Sequence, residues 1–299
     1  MEKFFVSTDS TCDLYASEIA SLKVGFVPLT YTVGSGENTQ FVKDNFTEPQ
    51  QYVDFFNLLR RGLPVKTAML NFNDHYVYFL SLAEKGINNI LHFTISYGLA
   101  RTMEVGYEAV AEVKEKYPDF NVLIVESHTT TVGQGILVRE ACRMRDEGKT
   151  LEDTAEYVNR IKHNIQHFVM VDDLQHLKRG GRISSAVAAV GGVVKLKIIL
   201  SFDRDGKLKV VNKIMGGTRK ALTYIVSQLS NYTLLKDNAY PIVVHSDNLP
   251  LAQELHRQIV EASDGKVNPE IRVMGPVIGC HVGPNAVAFA FVSNELRPE

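Results

Sequence analysis

The sequence predicts an α/β protein of two α/β domains. The first, residues 1–163, is a three-layer domain on a parallel sheet; the second, residues 164–299, is built on a mixed sheet. Three observations predict it. Up to about residue 163, apolar β-branched runs alternate with helix-length segments, the pattern of parallel βαβ units. After His163 the strand-like runs follow one another more closely, and Asp205-Gly206 marks a tight hairpin between two of them. The chain has 299 residues, 45% of them hydrophobic, which is enough for two cores. No Pro/Gly/Ser-rich linker separates the halves, so the two domains are expected to pack closely.

The elements follow in order. Lys3–Ser7 reads as a first strand entering the polar loop Ser7–Thr11, where Asp9 or Ser10 can cap the short helix Leu14–Leu22. Val24–Val33 is apolar and β-branched and reads as one strand; Gly34–Asn45 reads as a polar loop. Thr47 with Gln50 has capping-box spacing, with Pro49 in the first turn of a helix that runs to Gly62. Asn88–Ser96 is a strand entering the turn Ser96-Tyr97-Gly98, and a helix spans Leu99–Lys116. Asn121–Val125 is a strand, Ser127–Thr131 a hydroxyl-rich loop, and Gly133–Glu147 a helix. Thr150 caps a helix ending near Asn164. The C-terminal strands are His167–Val171, Ile198–Phe202, Leu208–Lys213, Ile242–His245, Ile271–Val273 and Val287–Val292, interrupted by helices Thr218–Leu229 and Leu249–Ala262. In parallel sheets ligands sit beyond the carboxyl ends of the strands, so the loops at 7–11, 67–71, 96–98 and 127–131 are the expected walls of a site.

Composition and missing motifs exclude several classes. With 32 basic and 34 acidic residues the chain has no basic excess, which argues against a nucleic-acid footprint. Cys12, Cys142 and Cys280 lack metal-ligand spacing, and an odd number argues against a disulfide framework, so a reducing cytoplasm fits. The N-terminus has no apolar leader segment and no window is long enough to span a bilayer; at most transient membrane contact is expected. Glycine-rich stretches at 34–39 and 133–138 lack the third glycine of a dinucleotide fingerprint, and no GxxxxGK[ST] loop is present. His163 and His167 have i,i+4 spacing, but the helix ends between them and no third ligand is evident. No cofactor or metal is expected. A G-x-S-x-G nucleophile elbow is also missing.

The positive signals cluster in a few segments. Val171–Leu200 carries an acidic pair, Asp172 and Asp173, then the basic turn Lys178-Arg179-Gly180-Gly181-Arg182, then small residues and an apolar run with Lys195 and Lys197. The two glycines let backbone and guanidinium approach a ligand, and Arg182 offers a rigid fork suited to a carboxylate or phosphate; a helix C-cap followed by a solvated arginine fits the same spacing. Ser96, at a strand-to-helix turn, suits a nucleophile or a donor to a ligand anion. His281 lies between Gly279 and Gly283, with Pro276 and Pro284 flanking, on what reads as a rigid turn. Thr67 reads as a strand-edge threonine.

These motifs together resemble the DegV family. Ser7–Leu14 (STDSTCDL) is similar to its S/T-D-S-x-x-D-L loop, and Ile95–Thr102 to its I-S-S-G-L-S-G-T. Glu126-Ser127 with Gly133-Gln134-Gly135 is similar to D-S-x-x-x-x-x-G-Q-G. Val171–Ile183 is similar to V-D-D-L-x-x-L-K-x-G-G-R-I, and Gly275–Pro284 to G-P-V-I-G-x-H-x-G-P, both without a gap. Two stretches depart: Ala68-Met69-Leu70 stands where the family has S-Q-P after K-T, and Tyr97 and Ala100 replace serines.

The resemblance implies a bacterial fatty-acid-binding protein, the lipid held between two domains with its chain in an apolar tunnel. It places the carboxylate at Thr67, Ser96, Arg182 and His281. It implies a non-catalytic subunit that presents a long-chain fatty acid to a separate ATP-dependent kinase making acyl phosphate. The departures add apolar bulk around the implied tunnel. A small-molecule enzyme is the alternative, because the implied fold is similar to that of dihydroxyacetone kinase, where a histidine holds the substrate.

Overall fold

The structure, a computed structural model, describes residues 4–172, 174–183 and 196–299. Asp173, the small-residue run after Ile183 and Lys195 lie outside the described residues. In the first half, β1 (Phe5–Asp9) leads through α1 (Ala16–Ser21) to β2 (Gly25–Val27) and β3 (Thr30–Val33). Val24–Val33 is therefore two strands and not the one read from its composition. Pro28 separates them, and each joins a different sheet. The polar stretch after Gly34, expected as loop, contains β4 (Gln40–Lys43), which pairs antiparallel with β3. The cap of α2 (Pro49–Arg60) is Glu48 with Gln51, one residue beyond the predicted Thr47 and Gln50; the Gln51 side chain accepts from the Glu48 and Thr47 amides.

Helix α3 (Phe72–Ala83) went unread in the sequence, and β5 (Val65–Ala68) was anticipated only through Thr67, read as a strand-edge residue. Helix α3 opens on a reciprocal cap in which Asn71 and Asp74 each accept from the other's amide. Then come β6 (Asn89–Thr94), α4 (Thr102–Lys116), β7 (Asn121–Glu126), α5 (Val132–Asp146) and α6 (Leu151–Ile161). The Thr150 hydroxyl caps α6 through the Asp153 amide, as expected. Strands β2-β1-β6-β7 form an all-parallel sheet, and β4-β3-β5 a separate antiparallel one.

The second half runs β8 (Ile165–Val171), α7 (Gln175–Arg179), β9 (Leu196–Phe202), β10 (Leu208–Met215), α8 (Thr218–Ser227), β11 (Ile242–His245), α9 (Leu249–Ala262), β12 (Glu270–Val273), α10 (Pro276–Val282) and β13 (Val287–Val292). Its six-stranded sheet has the order β10-β9-β8-β13-β11-β12 and is antiparallel except for β11 with β12. The expected parallel-sheet and mixed-sheet domains are both present.

Every residue of β8 is buried, because both faces of its sheet are covered. Period-two alternation sends Phe168 and Met170 to a core under α8 and α9, and Val169 and Val171 to the opposite face. That opposite face joins β1, α5 and α6 in one continuous apolar cluster. The halves therefore share a core and are not beads on a linker. Among the described residues no helix is long and apolar enough to cross a membrane.

Candidate functional site

The carboxyl-end loops of the parallel sheet face the inner side of the six-stranded sheet, and a narrow cavity lies between them. It holds about 730 Å³ of space free of atoms, its open mouth included. Leu29, Ile95 and Leu99 form walls on one side, and Val169, Leu200 and Phe202 on the other. Loop 67–71 contributes Thr67 and Met69, and loop 127–131 contributes Thr130 and Thr131. Loop 7–11 supplies no wall. It works one layer back, where Asp9 accepts from the Ile95 and Thr11 amides and from Gln134, and Ser10 accepts from the Leu29 amide.

Thr67, Arg182 and His281 line both this cavity and a surface depression beside it, so they mark its mouth. Strand β5 delivers Thr67 as an edge-strand side chain. His281 stands on α10 and not on the rigid turn read from its glycines: Gly275 is the N-cap, Pro276 the first helical residue, and Gly283 the C-cap. Gly279 is needed inside this helix, because a Cβ there would lie 2.7 Å from Cζ of buried Phe56 on α2. The imidazole packs over Gly180, where a Cβ would come 2.1 Å from Nδ1. Distant glycine motifs thus place one ring. Its Nε2 is 2.8 Å from the Thr67 hydroxyl, and its Nδ1 has no hydrogen-bond partner among the described residues.

Burial, then the charges of Arg182 and His176, push the His281 pKa down to about 4, so the ring is neutral at pH 7. Arg182 is half-buried; its Nη1 donates to the Gly180 carbonyl at 2.5 Å, and among the described residues no carboxylate pairs with it. Lys66 and Arg179 add exposed positive charge around the same depression. The arrangement suits a desolvated anion: a cation, a hydroxyl and an imidazole converge on one end of an otherwise apolar space. In a ring-proton NMR titration His281 should titrate near pH 4, and Arg182→Gln should move the midpoint upward by removing a neighbouring cation. An ordinary midpoint in both proteins would place the ring in water.

Ser96, the fourth predicted residue, is brought elsewhere. Its buried hydroxyl donates to the Gly206 carbonyl at 2.7 Å and to Glu126 at 3.2 Å, tying the β6 loop to the β9–β10 hairpin. Burial opposes the Glu126 charge, but hydrogen bonds from His128 and the Tyr97 amide hold its carboxyl below the usual range. Ser96 is not a wall of the cavity, although its neighbours Ile95, Leu99 and Ala100 are. Of the departures, Met69 and Ala100 are walls and Leu70 is core, whereas Tyr97 faces out and donates to Glu104. His163 and His167 diverge: the His163 ring lies against His128, and the His167 ring against Phe202 inside the cavity. In the sequence the His167 side chain reads only as a candidate metal ligand beside His163, and Thr130 and Thr131 only as part of the 127–131 loop expected to wall a site; nothing there singles out these three side chains together.

A sequence profile described as "Uncharacterised protein, DegV family" matches residues 3–294. The chain belongs to the DegV family. A DegV domain-containing protein of Clostridium perfringens is 32% identical over 298 residues, covering 100% of each chain. One of Lactococcus lactis is 32% identical and covers 98% of this chain and 99% of its own. Among solved structures, a DegV lipid-binding protein of Thermotoga maritima is 25% identical, with a TM-score of 0.83 over 99% of this chain and 100% of that one. A stearic acid-binding protein of Eubacterium ventriosum shares the fold at 24% identity, TM-score 0.82, over 97% and 98% of the two chains. The DegV motifs that carried the sequence resemblance map onto the described site: Val171–Ile183 holds Arg182 and Gly180, and Gly275–Pro284 forms α10.

Proposed function

We propose that this DegV chain binds a long-chain fatty acid in the cavity, with the carboxylate at Thr67, Arg182 and His281 and the acyl chain along the apolar walls. The observation that carries this reading is Arg182: a half-buried guanidinium, without a carboxylate partner among the described residues, at the mouth of a narrow apolar cavity. Lipid binding by the Thermotoga maritima relative and stearic acid binding by the Eubacterium ventriosum relative support it. Roughly fifteen buried methylenes at about 0.8 kcal/mol each supply a gross apolar term near ~12 kcal/mol, much of it offset by ordering and association. Ser96 acts indirectly in this reading, by fixing the loop that carries Ile95, Leu99 and Ala100.

The chain itself performs no chemistry in this proposal. The carboxylate end is the end that meets the surface, so a partner can reach it while the tail stays buried. A separate ATP-dependent kinase subunit forming acyl phosphate in the cytoplasm is the partner this geometry suits. Native mass spectrometry of protein purified from cells should show a retained fatty-acid mass. Affinity should rise with chain length and then fall abruptly once the cavity is full. Acetate or dihydroxyacetone binding as tightly as palmitate would replace the lipid reading with the small-molecule enzyme.

A further inference from the structure

We propose that the same cavity contains a second polar site, made by Thr130, Thr131 and His167, that takes an oxygen substituent on the acyl chain itself, a hydroxyl or a ketone. The inference rests on the fatty-acid reading and narrows its ligand class. All three residues are walls of the cavity, with exposures of 5%, 1% and 1%. The hydroxyls of Thr130 and Thr131 and the Nε2 of His167 have no hydrogen-bond partner among the described residues. Buried polar atoms are almost always paired, and leaving them unpaired is costly, so three on the wall of one cavity call for a partner.

Local structure leaves these atoms free. Thr131 occupies the N-cap position of α5, where a threonine ordinarily spends its hydroxyl on the helix amides, yet it makes no such bond. Its φ of +52° is an outlier for a β-branched residue, held by a 2.7 Å hydrogen bond from its amide to the Thr11 carbonyl. On β8, alternation puts His167 on the same face as Val169, a wall of the cavity. The ring tilts against Phe202, with Nδ1 3.4 Å from the Thr129 hydroxyl. Burial, then Arg297, pushes its pKa down to about 3, so the ring stays neutral, with one nitrogen to accept and one to donate.

The position separates this site from the head group. From His167 to Val171 the strand advances roughly 13 Å, and α7 and Arg182 lie beyond that end. Among the described residues no cation lines the cavity beside His167. Arg297, whose charge the ring senses, is not a wall and donates to the His128 and Lys162 carbonyls. A carboxylate therefore belongs at Arg182, and an uncharged oxygen well along the chain belongs at His167. A plain hydrocarbon chain would leave all three polar groups unpaired.

The test compares dissociation constants of the full chain for stearic acid and for positional series of hydroxystearic and oxostearic acids. One narrow range of positions in either series should bind about five- to tenfold tighter than stearic acid. Isomers outside it should bind more weakly, because their oxygen meets Leu200 or Leu208. His167→Phe should bring the best ratio close to one; if that variant does not fold, Thr130→Val/Thr131→Val carries the same ratio test. If every isomer binds more weakly than stearic acid, or the ratio survives in both variants, the groups are served by buried water and the second site does not exist. Failure of stearic acid itself to bind would overturn the fatty-acid reading, whereas stearic acid binding without positional preference removes only this site.

Discussion

Arg182→Ala should weaken long-chain fatty-acid binding by about 1.5–3 kcal/mol, roughly ten- to a hundredfold or more, while leaving the thermal transition nearly unchanged. The folded protein loses little, because among the described residues the guanidinium makes one hydrogen bond, to the Gly180 carbonyl, and no ion pair. The ligand loses much, because its carboxylate leaves water on entering and needs a charged donor in exchange. Arg182→Lys should recover part of the loss, since an ammonium keeps the charge but not the fork. Lys66→Ala should cost far less, because that exposed charge is screened by solvent. Isothermal titration with palmitate and with its methyl ester separates the cause. The ester carries no charge, so the substitution should scarcely alter its affinity. Equal losses for acid and ester would mean that Arg182 shapes the cavity and does not pair with the head group; no loss for either would remove it from the site.

How legible this was in the sequence depends on the range of the forces involved. Strands β8, β11 and β13 and helix α9 were readable because their apolar patterning is a local signal. The split at Pro28 and the edge strand β4 were not. Gln40–Lys43 is mostly exposed, so its pairing with β3 leaves no apolar pattern to read. Helix α10 was hidden by its composition: Gly279 and Gly283 look like turn residues, and the reason for Gly279 is a ring on a helix more than two hundred residues earlier. For the site, motif resemblance brought forward Thr67, Arg182 and His281, which the fold gathers at one mouth. Ser96 shows the limit of that transfer. Its hydroxyl is bound to Gly206, a contact between halves of the chain that no local pattern encodes. Thr130, Thr131 and His167 were invisible as a group because they meet only when the loop after β7 closes over β8.

Phe56→Ala should have the largest effect on stability, a loss of about 3–5 kcal/mol from a total of order 5–15 kcal/mol. Phe56 is fully buried; its ring meets Phe55 at 5.2 Å between centroids and lies where a Cβ on Gly279 would go. Removing it opens a cavity under the helix that carries His281. Gly279→Ala should also destabilise, by about 1–3 kcal/mol, for the opposite reason: the new methyl would stand 2.7 Å from Phe56 Cζ and 3.2 Å from Phe55 Cε1. The two changes act on the same volume with opposite sign, so their costs should not add. Phe56→Ala/Gly279→Ala should be more stable than the sum predicts, because the methyl enters space the ring has left. Urea denaturation of the four proteins, with a common slope, supplies the cycle. Additive costs would mean that the α2–α10 contact does not set the position of α10. A coupling of the expected sign should be accompanied in Phe56→Ala by a His281 midpoint nearer the ordinary histidine value, because a loosened α10 admits water to a ring that burial holds at about 4.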